Sequence, residues 1–165
     1  MGTRPGELGE RFLARLIDSV LLAVVNALIV GFLIVGAIFG TSGGMGFGGA
    51  GDYAASAVAA VLSTAIYLAY YAYFDTTQGR TVGKMVMKLR VVGEGGGKPT
   101  IEESLKRNCW MALSLLGVVP LIGGLVGGLA QLVAVIMIAV GINNDNVRRQ
   151  AWHDKLAATH VLKEG

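Results

Sequence analysis

The stretch RFLARLID, Arg11–Asp18, leads into a segment that carries no further charge until Asp52. The uncharged run Ser19–Gly51 is followed along the chain by two more, Tyr53–Phe74 and Asn108–Asn144. Each run is longer than the roughly 20 apolar residues that a helix needs to cross about 30 Å of hydrocarbon. The sequence therefore predicts an all-α integral membrane protein.

Composition supports this class. The 165 residues are 53% hydrophobic and only 15% charged, whereas soluble domains carry about 25% charged residues. The apolar part of the first run, Leu16–Phe39, is longer than a signal-peptide core of roughly 7–15 residues, and no small-x-small cleavage site follows it. The single cysteine, Cys109, excludes an intrachain disulfide. Because no basic-aromatic interleaving or nucleic-acid fold signature occurs, we expect no nucleic-acid partner.

The distribution of charge predicts an even number of membrane passages. All 14 Lys and Arg residues precede the first run, lie between Arg80 and Arg107, or follow Asp145. The positive-inside rule places all of them on the cytoplasmic side, together with both termini. We predict one domain, 1–165, with four passages, the last two short or re-entrant and separated by Pro120; three spans are the alternative. The predicted helices are 12–39, 54–74, 101–119 and 121–142, with a cytoplasmic loop at 75–108 and a cytoplasmic tail at 143–165.

The cytoplasmic loop is predicted to contain an amphipathic helix. Basic residues recur every four positions, at Arg80, Lys84 and Lys88, and apolar residues occupy the opposite helical face. This pattern is typical of a short helix on the membrane surface, with its basic side toward anionic lipid headgroups. The alternative is a loop whose charge only sets orientation.

Two further local signals concern the ends of this loop and the tail. Thr100 and Glu103 form a capping box, which predicts a helix from Ile101. The β-like runs LRVV (Leu89–Val92) and THVL (Thr159–Leu162) would lie on the same side of the membrane if the number of passages is even. We predict that these two runs pair.

Candidate chemistry is sparse. Gly79 and Gly83 in GRTVGKM are one residue too close for a phosphate loop, and Met85 stands where a magnesium-binding Ser or Thr is needed. The two histidines lie in the charged tail, without the regular ligand spacing of a metal site. We therefore expect no cofactor, no metal and no enzymatic activity. Glycines four apart, at 123/127 and 124/128, predict close helix packing within the protomer or self-association as a homo-oligomer.

The first helix carries the most informative polar residues. Arg11, Arg15, Asp18 and Asn26 are spaced so that they share one helical face. One interpretation is a structural lock, in which Asp18 pairs with a cation such as Arg107 or Lys84. The other is a protonatable or cation-binding carboxylate at the entrance of a pathway, with Arg11 tuning it.

Four ordered blocks resemble the RDD family of small bacterial membrane proteins, named for an arginine and two aspartates. RFLARLID resembles its opening signature at Arg11, Ala14 and Asp18. The later blocks are similar to the family's G-x-T-x-G-K segment, to K-R-N and to its closing H-D-x-x-A-x-T, where Ala158 stands at a position at which glycine is common. The matching residues of these later blocks are Gly79, Thr81, Gly83, Lys84, Lys106, Arg107, Asn108, His153, Asp154, Ala157 and Thr159.

We take Arg11, Asp18 and Asp154 as the residues that name the family, with Asp75 as a second candidate for one aspartate. The resemblance implies a bacterial plasma-membrane location and little about activity, since cation/proton exchange is proposed for some members only. The shallow position of Asp18 and its neighbouring arginine favour an accessory subunit that binds another membrane protein or lipid headgroups. The alternative is a small cation or proton transporter.

Overall fold

The computed structural model describes residues 2–40, 50–119 and 122–165, with side chains at all of these positions except 30, 32–40, 50–53, 55 and 56. The described chain is mostly helical, with one small sheet, as predicted. The elements in chain order are β1 (Arg4–Pro5), α1 (Leu8–Gly40), α2 (Ala50–Thr77), α3 (Val82–Val86), β2 (Leu89–Val92), α4 (Ile101–Asn108), a 3-10 helix (Cys109–Val118), α5 (Gly123–Asn144), α6 (Trp152–Leu156) and β3 (His160–Lys163).

Within the described residues, three segments are long and apolar enough to span a membrane: Leu8–Ile29, Ala57–Thr77 and Gly123–Asn144. They correspond to the first, second and fourth predicted passages. Helix α1 begins earlier than the predicted residue 12 because the Glu10 carboxylate accepts the backbone N–H of Glu7 and so caps the first turn. Large apolar side chains such as Leu28 and Leu125 lie exposed on the outer faces of these helices, where a lipid environment would cover them.

The third predicted passage, 101–119, has a different form. Only Ile101–Asn108 is α-helical, and its predicted capping box between Thr100 and Glu103 is present. Cys109–Val118 continues as a 3-10 helix, about 20 Å long at 2.0 Å per residue and therefore shorter than a hydrocarbon core of about 30 Å. A fourth passage is not confirmed, and the predicted break at Pro120 lies outside the described residues.

A three-stranded sheet of order β1-β3-β2 joins distant parts of the chain. Strand β2 pairs antiparallel with β3, from Leu89 opposite Lys163 to Val92 opposite His160, so the predicted pairing is confirmed with a shift of one residue. Strand β1, which was not predicted, pairs with the other edge of β3. The N-terminus, the loop after α2 and the tail therefore meet at one end of the helices.

Helix α3 corrects the predicted amphipathic helix. It covers only five residues, so Arg80 and Lys88, which were predicted to lie on its basic face, fall outside it. Lys84 is buried, whereas Val86 is exposed, so the helix presents to the interior the side that was predicted to face headgroups. The reason is that Gly83 lets the first turn of α3 lie directly against α1. Ala14, Leu89, Val91 and Val161 form the small apolar core between α1 and the sheet.

Candidate functional site

Three aspartates, Asp18, Asp75 and Asp154, are almost completely buried at the end of the bundle that carries the sheet, with exposed fractions of 1%, 0% and 0%. A buried carboxylate is costly unless hydrogen bonds or cations compensate it. Each of the three has such partners, supplied by elements far apart in the sequence. We call these aspartates and their cationic partners the charged cluster; its members are Arg11, Asp18, Asp75, Lys84, Arg107 and Asp154.

Asp18 accepts three hydrogen bonds. The Tyr70 hydroxyl donates to Oδ1 at 2.8 Å, the Gly83 backbone N–H to the same oxygen at 2.7 Å, and the Thr81 hydroxyl to Oδ2 at 2.5 Å. Thr81 is also the N-cap of α3 and accepts the backbone N–H of Lys84. Asp18 therefore holds the start of α3 against α1.

Gly83 is required by this contact. A Cβ at that position would lie 2.0 Å from the carbonyl oxygen of Ala14 and 3.0 Å from Cγ of Asp18. Backbone atoms of α1 cannot move by that much without disrupting the helix. The glycine that resembled part of a phosphate loop is therefore a packing residue.

Asp75, at the end of α2, forms an ion pair with Lys84, the residue that follows Gly83 in α3. Its Oδ1 lies 2.6 Å from Nζ of Lys84, and the Ser104 hydroxyl of α4 donates to Oδ2 at 3.4 Å. Burial lowers the pKa of Lys84 to about 8, although the neighbouring Asp75 opposes this shift. Lys84 thus stays mainly protonated at neutral pH and joins α2, α3 and α4.

Asp154 in α6 joins the tail to two other segments. Oδ2 lies 2.7 Å from Nη1 of Arg11, and Oδ1 lies 3.1 Å from Nε of Arg107. Burial would raise the pKa of Asp154, but Arg107, His153 and Arg11 together hold it below its ordinary value. Burial also lowers the pKa of His153 to about 4, so this imidazole is neutral at pH 7.

Arg15 lies beside the charged cluster and has no carboxylate partner among the described side chains. Its guanidinium stacks 4.0 Å from the ring centroid of Tyr71 and 5.1 Å from that of Trp110. It donates to Oδ1 of Asn108 at 3.3 Å and to Sδ of Met111 at 3.0 Å. Cation–π contacts of this kind replace an ion pair in part.

The side of α1 that carries Arg11, Arg15 and Asp18 faces the interior, as predicted. The ion pairs that these residues form differ from the predicted ones. In the part of the chain that the structure describes, Asp18 forms no ion pair with Arg11, Arg107 or Lys84; each of these cations pairs with another aspartate. Asn26 accepts a hydrogen bond from Ser63 of α2 at 3.1 Å instead of extending the cluster.

The remaining predicted residues lie at the periphery. Arg80 forms an ion pair with Glu164 at 3.0 Å, in which both side chains are partly exposed. Lys88 is exposed and has a left-handed backbone with φ of 52°, and Gly79 has φ of 72° in the turn after α2. Of the three residues predicted to form a basic face, Arg80 and Lys88 are therefore accessible and Lys84 is not.

Sequence reasoning missed several members of the site. No role in the site was predicted for Tyr70, and Thr81 was named only as part of a motif, yet both bind Asp18. A threonine directly before a helix is a standard N-cap signal, which would have indicated Thr81. His153, which the sequence places only in a charged tail, is buried. No local signal predicts Tyr70, because its role depends on how α1 and α2 pack.

Ala158 stands at a position where glycine is common in the family, and its backbone conformation shows why glycine suits that position. Ala158 has a left-handed backbone with φ of 51°, after which the Thr159 N–H donates to the Asp154 carbonyl at 2.9 Å. Glycine adopts this conformation without the steric cost that a Cβ brings. The chain therefore needs a glycine-like backbone at a position where it has alanine.

Three candidate spans, with a buried charged cluster at the sheet end, define a small helical membrane protein. Among the described residues, no group of three or more His, Cys, Asp or Glu side chains could hold a metal ion. The model of the RDD family matches residues 5–158, nearly the whole chain, and the protein belongs to this family. Neither the curated proteins nor the solved structures contain a match to it.

Proposed function

We propose that this protein is an accessory membrane subunit, whose charged cluster holds its own fold and whose outer surfaces contact lipid and another membrane protein. The observation that carries this proposal is the engagement of all three buried aspartates. Asp18 has three hydrogen-bond donors, Asp75 has Lys84 and Ser104, and Asp154 has two arginines. Among the described residues, Oδ1 of Asp154 has no hydrogen-bond donor, but it lies 3.1 Å from Nε of Arg107 in an ion pair. Engagement of buried carboxylates in this way is typical of a structural lock.

A transport role makes a different demand on Asp18. A carboxylate that carries a cation or a proton must exchange its partners in every cycle, and here it would have to release α3. The cavity beside Asp18 is also lined by Arg11, Arg15, Lys84 and Arg107. Positive charge at this position disfavours the entry of a cation.

The proposed orientation follows from the sheet. The described basic residues lie before the apolar part of α1, between α2 and the 3-10 helix, or after α5, and the sheet brings these three segments to one end. The positive-inside rule makes this end cytoplasmic. We therefore infer a multi-pass protein of the bacterial plasma membrane with both termini in the cytoplasm, whose accessible Arg80 and Lys88 lie near anionic headgroups.

One observation favours the alternative, a small cation or proton transporter. A second cavity, of about 410 Å³, extends from Arg15 past Ser19 of α1 to Gln131 of α5. Polar side chains in the membrane interior often mark a pathway. A transporter of this size would need self-association to enclose such a pathway.

Flux through liposomes distinguishes the two functions. We expect the purified protein to show no cation-driven proton flux. We expect Asp18→Asn to lower the free energy of unfolding of the protein by about 1–3 kcal/mol, because the amide of asparagine cannot accept hydrogen bonds from all three donors. Glu102→Gln, at an exposed pair on α4, is the matched control and should leave stability unchanged. Flux in the wild type that disappears in a well-folded Asp18→Asn would establish transport and end the accessory proposal.

Crosslinking tests the accessory role directly. A photo-reactive residue at Leu129, which is exposed on α5, should give a discrete adduct of higher mass in native membranes. The same residue at buried Leu22 serves as the control and should give intramolecular products only. If exposed positions on α1, α2 and α5 all yield lipid adducts alone, the protein has no stable membrane partner.

A further inference from the structure

A cavity of about 180 Å³ lies beside the charged cluster, between the start of α1 and the end of α5. Ligand pockets for whole drug-sized molecules usually measure about 300–1,000 Å³. This cavity therefore has room for a small group or for one end of a longer molecule. Its walls differ in character, and the difference indicates which group fits.

The inner wall is cationic. Arg11, Arg15, Lys84 and Arg107 all line the cavity, and Asp18 is the only carboxylate among the described residues of the lining. Asp75 and Asp154 pair with three of these cations from outside the lining. Four positive and three negative groups leave one positive charge in excess, and the three hydrogen bonds to Asp18 occupy that carboxylate.

Hydrogen-bonding capacity is also left over in this wall. Arg11 uses Nε and Nη1 on Gly6 and Asp154, and its Nη2 has no hydrogen-bond partner in the described part of the chain. The same holds for Nη1 of Arg107, and both nitrogens are buried. Buried donors normally find an acceptor, so two unpartnered guanidinium nitrogens in one cationic wall indicate an absent acceptor. Arg15, without a carboxylate, adds a third guanidinium.

The outer wall is apolar and reaches the surface of the helices. Phe12 of α1 is 63% exposed, and across from it lie Val135, Ile138 and Ile142 of α5. Phe12 and Val135 lie on the exposed side of this wall, which in the orientation proposed above is close to the boundary between headgroups and acyl chains. A molecule with an anionic head and an apolar tail would satisfy both walls.

We propose that this cavity binds a phosphate group through Arg11, Arg15 and Arg107, with the tail of a phospholipid lying along Phe12 and α5. Guanidinium groups are the preferred phosphate ligands of proteins because their planar donors match the phosphate oxygens. This inference rests on the lipid-contacting role proposed above and gives it a defined site. A free phosphate ion offers the same chemistry and is the other source to be distinguished.

Tryptophan fluorescence can report occupancy, because Trp110 lines the cavity and the chain has 2 tryptophans. In Trp152→Phe, Trp110 is the only one. This variant is reconstituted in phosphatidylcholine vesicles that contain a small fraction of brominated lipid. We expect brominated phosphatidylglycerol to quench Trp110 at least threefold more than brominated phosphatidylcholine at the same fraction.

Two matched substitutions assign the preference to the cavity. Arg15→Gln should bring the quenching ratio close to one, and Arg15→Lys should restore most of it. Lys155→Gln removes an exposed charge of α6 from the same end of the protein but outside the cavity, and should leave the ratio unchanged. If Lys155→Gln lowers the ratio as much as Arg15→Gln does, general surface charge attracts the lipid and the proposal is wrong.

Inorganic phosphate distinguishes the source. Equal quenching by both lipids, together with a phosphate-dependent rise in melting temperature that Arg15→Gln abolishes, would assign the site to free phosphate. Equal quenching without such a rise would overturn the proposal. Proton flux reports separately on the proposed function: flux together with a quenching preference would keep the site and exclude the accessory role.

Discussion

At the scale of single residues, Gly83 shows how one missing side chain positions a whole segment. Helix α3 has only five residues, far fewer than an isolated helix needs for stability in water. It persists because Thr81 and Gly83 donate to Asp18 and because Lys84 reaches Asp75. The two contacts with Asp18 require the start of α3 to lie directly against α1.

We therefore predict that Gly83→Ala disrupts the fold. The added Cβ would lie 2.0 Å from a backbone oxygen, and separating α3 from α1 would leave Asp18 buried with two donors removed, at a cost of at least about 3 kcal/mol. Yield of monodisperse protein in detergent measures the effect. Gly95→Ala is the control, since a Cβ there has no neighbour within 4 Å. Equal yields of both variants would contradict the close packing of α3.

A second residue-scale property concerns pH. His153 is buried beside Asp154 and near Arg107, Arg11 and Arg15, and burial lowers its pKa from 6.5 to about 4. Between these values the unfolded chain binds more protons than the folded one. Stability therefore rises with pH across this window and is lost as pH falls from 6.5 towards 4. The pKa of His160 is lowered as well and acts in the same direction.

We predict that acidification from pH 7 to pH 5 destabilises the protein by about 2 kcal/mol through His153, at about 1.4 kcal/mol per pH unit below 6.5. Melting temperature in detergent at the two pH values measures this loss. His153→Gln should reduce the pH dependence, with the remainder assigned to His160. The same loss in wild type and variant would show that His153 is not the titrating group.

At the scale of elements, α5 and the 3-10 helix pack as an antiparallel pair through one of two glycine pairs. A Cβ at Gly123 would lie 2.3 Å from the Leu116 carbonyl oxygen, and one at Gly127 would lie 3.1 Å from the backbone nitrogen of Gly117. A Cβ at Gly124 or at Gly128, by contrast, would have no neighbour within 4 Å among the described residues. Packing within the protomer thus uses the first pair, whereas Gly124 and Gly128 are exposed and Gly128 borders the second cavity.

We predict opposite effects for adjacent substitutions. Gly127→Leu should lower stability by at least about 2 kcal/mol, because the larger side chain separates α5 from the 3-10 helix. Gly128→Leu should leave stability unchanged. Melting temperature tests the first effect, and size-exclusion chromatography tests whether Gly128→Leu changes oligomeric state. A destabilising Gly128→Leu that leaves the oligomeric state unchanged would place this glycine inside the protomer and contradict the observed packing.

At the scale of the whole molecule, the sheet and the charged cluster join the same segments. Strand β3 pairs with both β1 and β2, while Asp154 binds Arg11 of α1 and Arg107 of α4. The N-terminal segment, the central loop and the tail therefore form one layer at one end of the helices. Such a layer can exist only if all three segments lie on the same side of the membrane.

We predict that reporters fused to either terminus give the same result. A fluorescent protein that folds only in the cytoplasm should be active at both ends, and alkaline phosphatase, which is active only outside, should be inactive at both. If the reporters placed one terminus in the cytoplasm and the other outside it, β1 and β3 could not pair. Phosphatase activity at both ends would keep the sheet and reverse the proposed orientation.

The sequence by itself determined the class of the protein and most of its local structure. Uncharged runs predict membrane helices because hydrocarbon excludes unpaired polar groups. The capping box at Thr100 and the strand Leu89–Val92 were predictable because each depends on a short run of neighbouring residues. The shared inward face of Arg11, Arg15 and Asp18 follows from helical periodicity alone.

Only the tertiary structure decided which charge meets which. Arg11 and Asp154 are 143 residues apart, and Asp18 binds a tyrosine, a threonine and a backbone N–H instead of a cation. Because the desolvation of a buried charge depends on every element packed around it, no spacing rule selects these partners. The cavity with its unpartnered guanidinium nitrogens likewise arises only where α1, α4 and α5 converge.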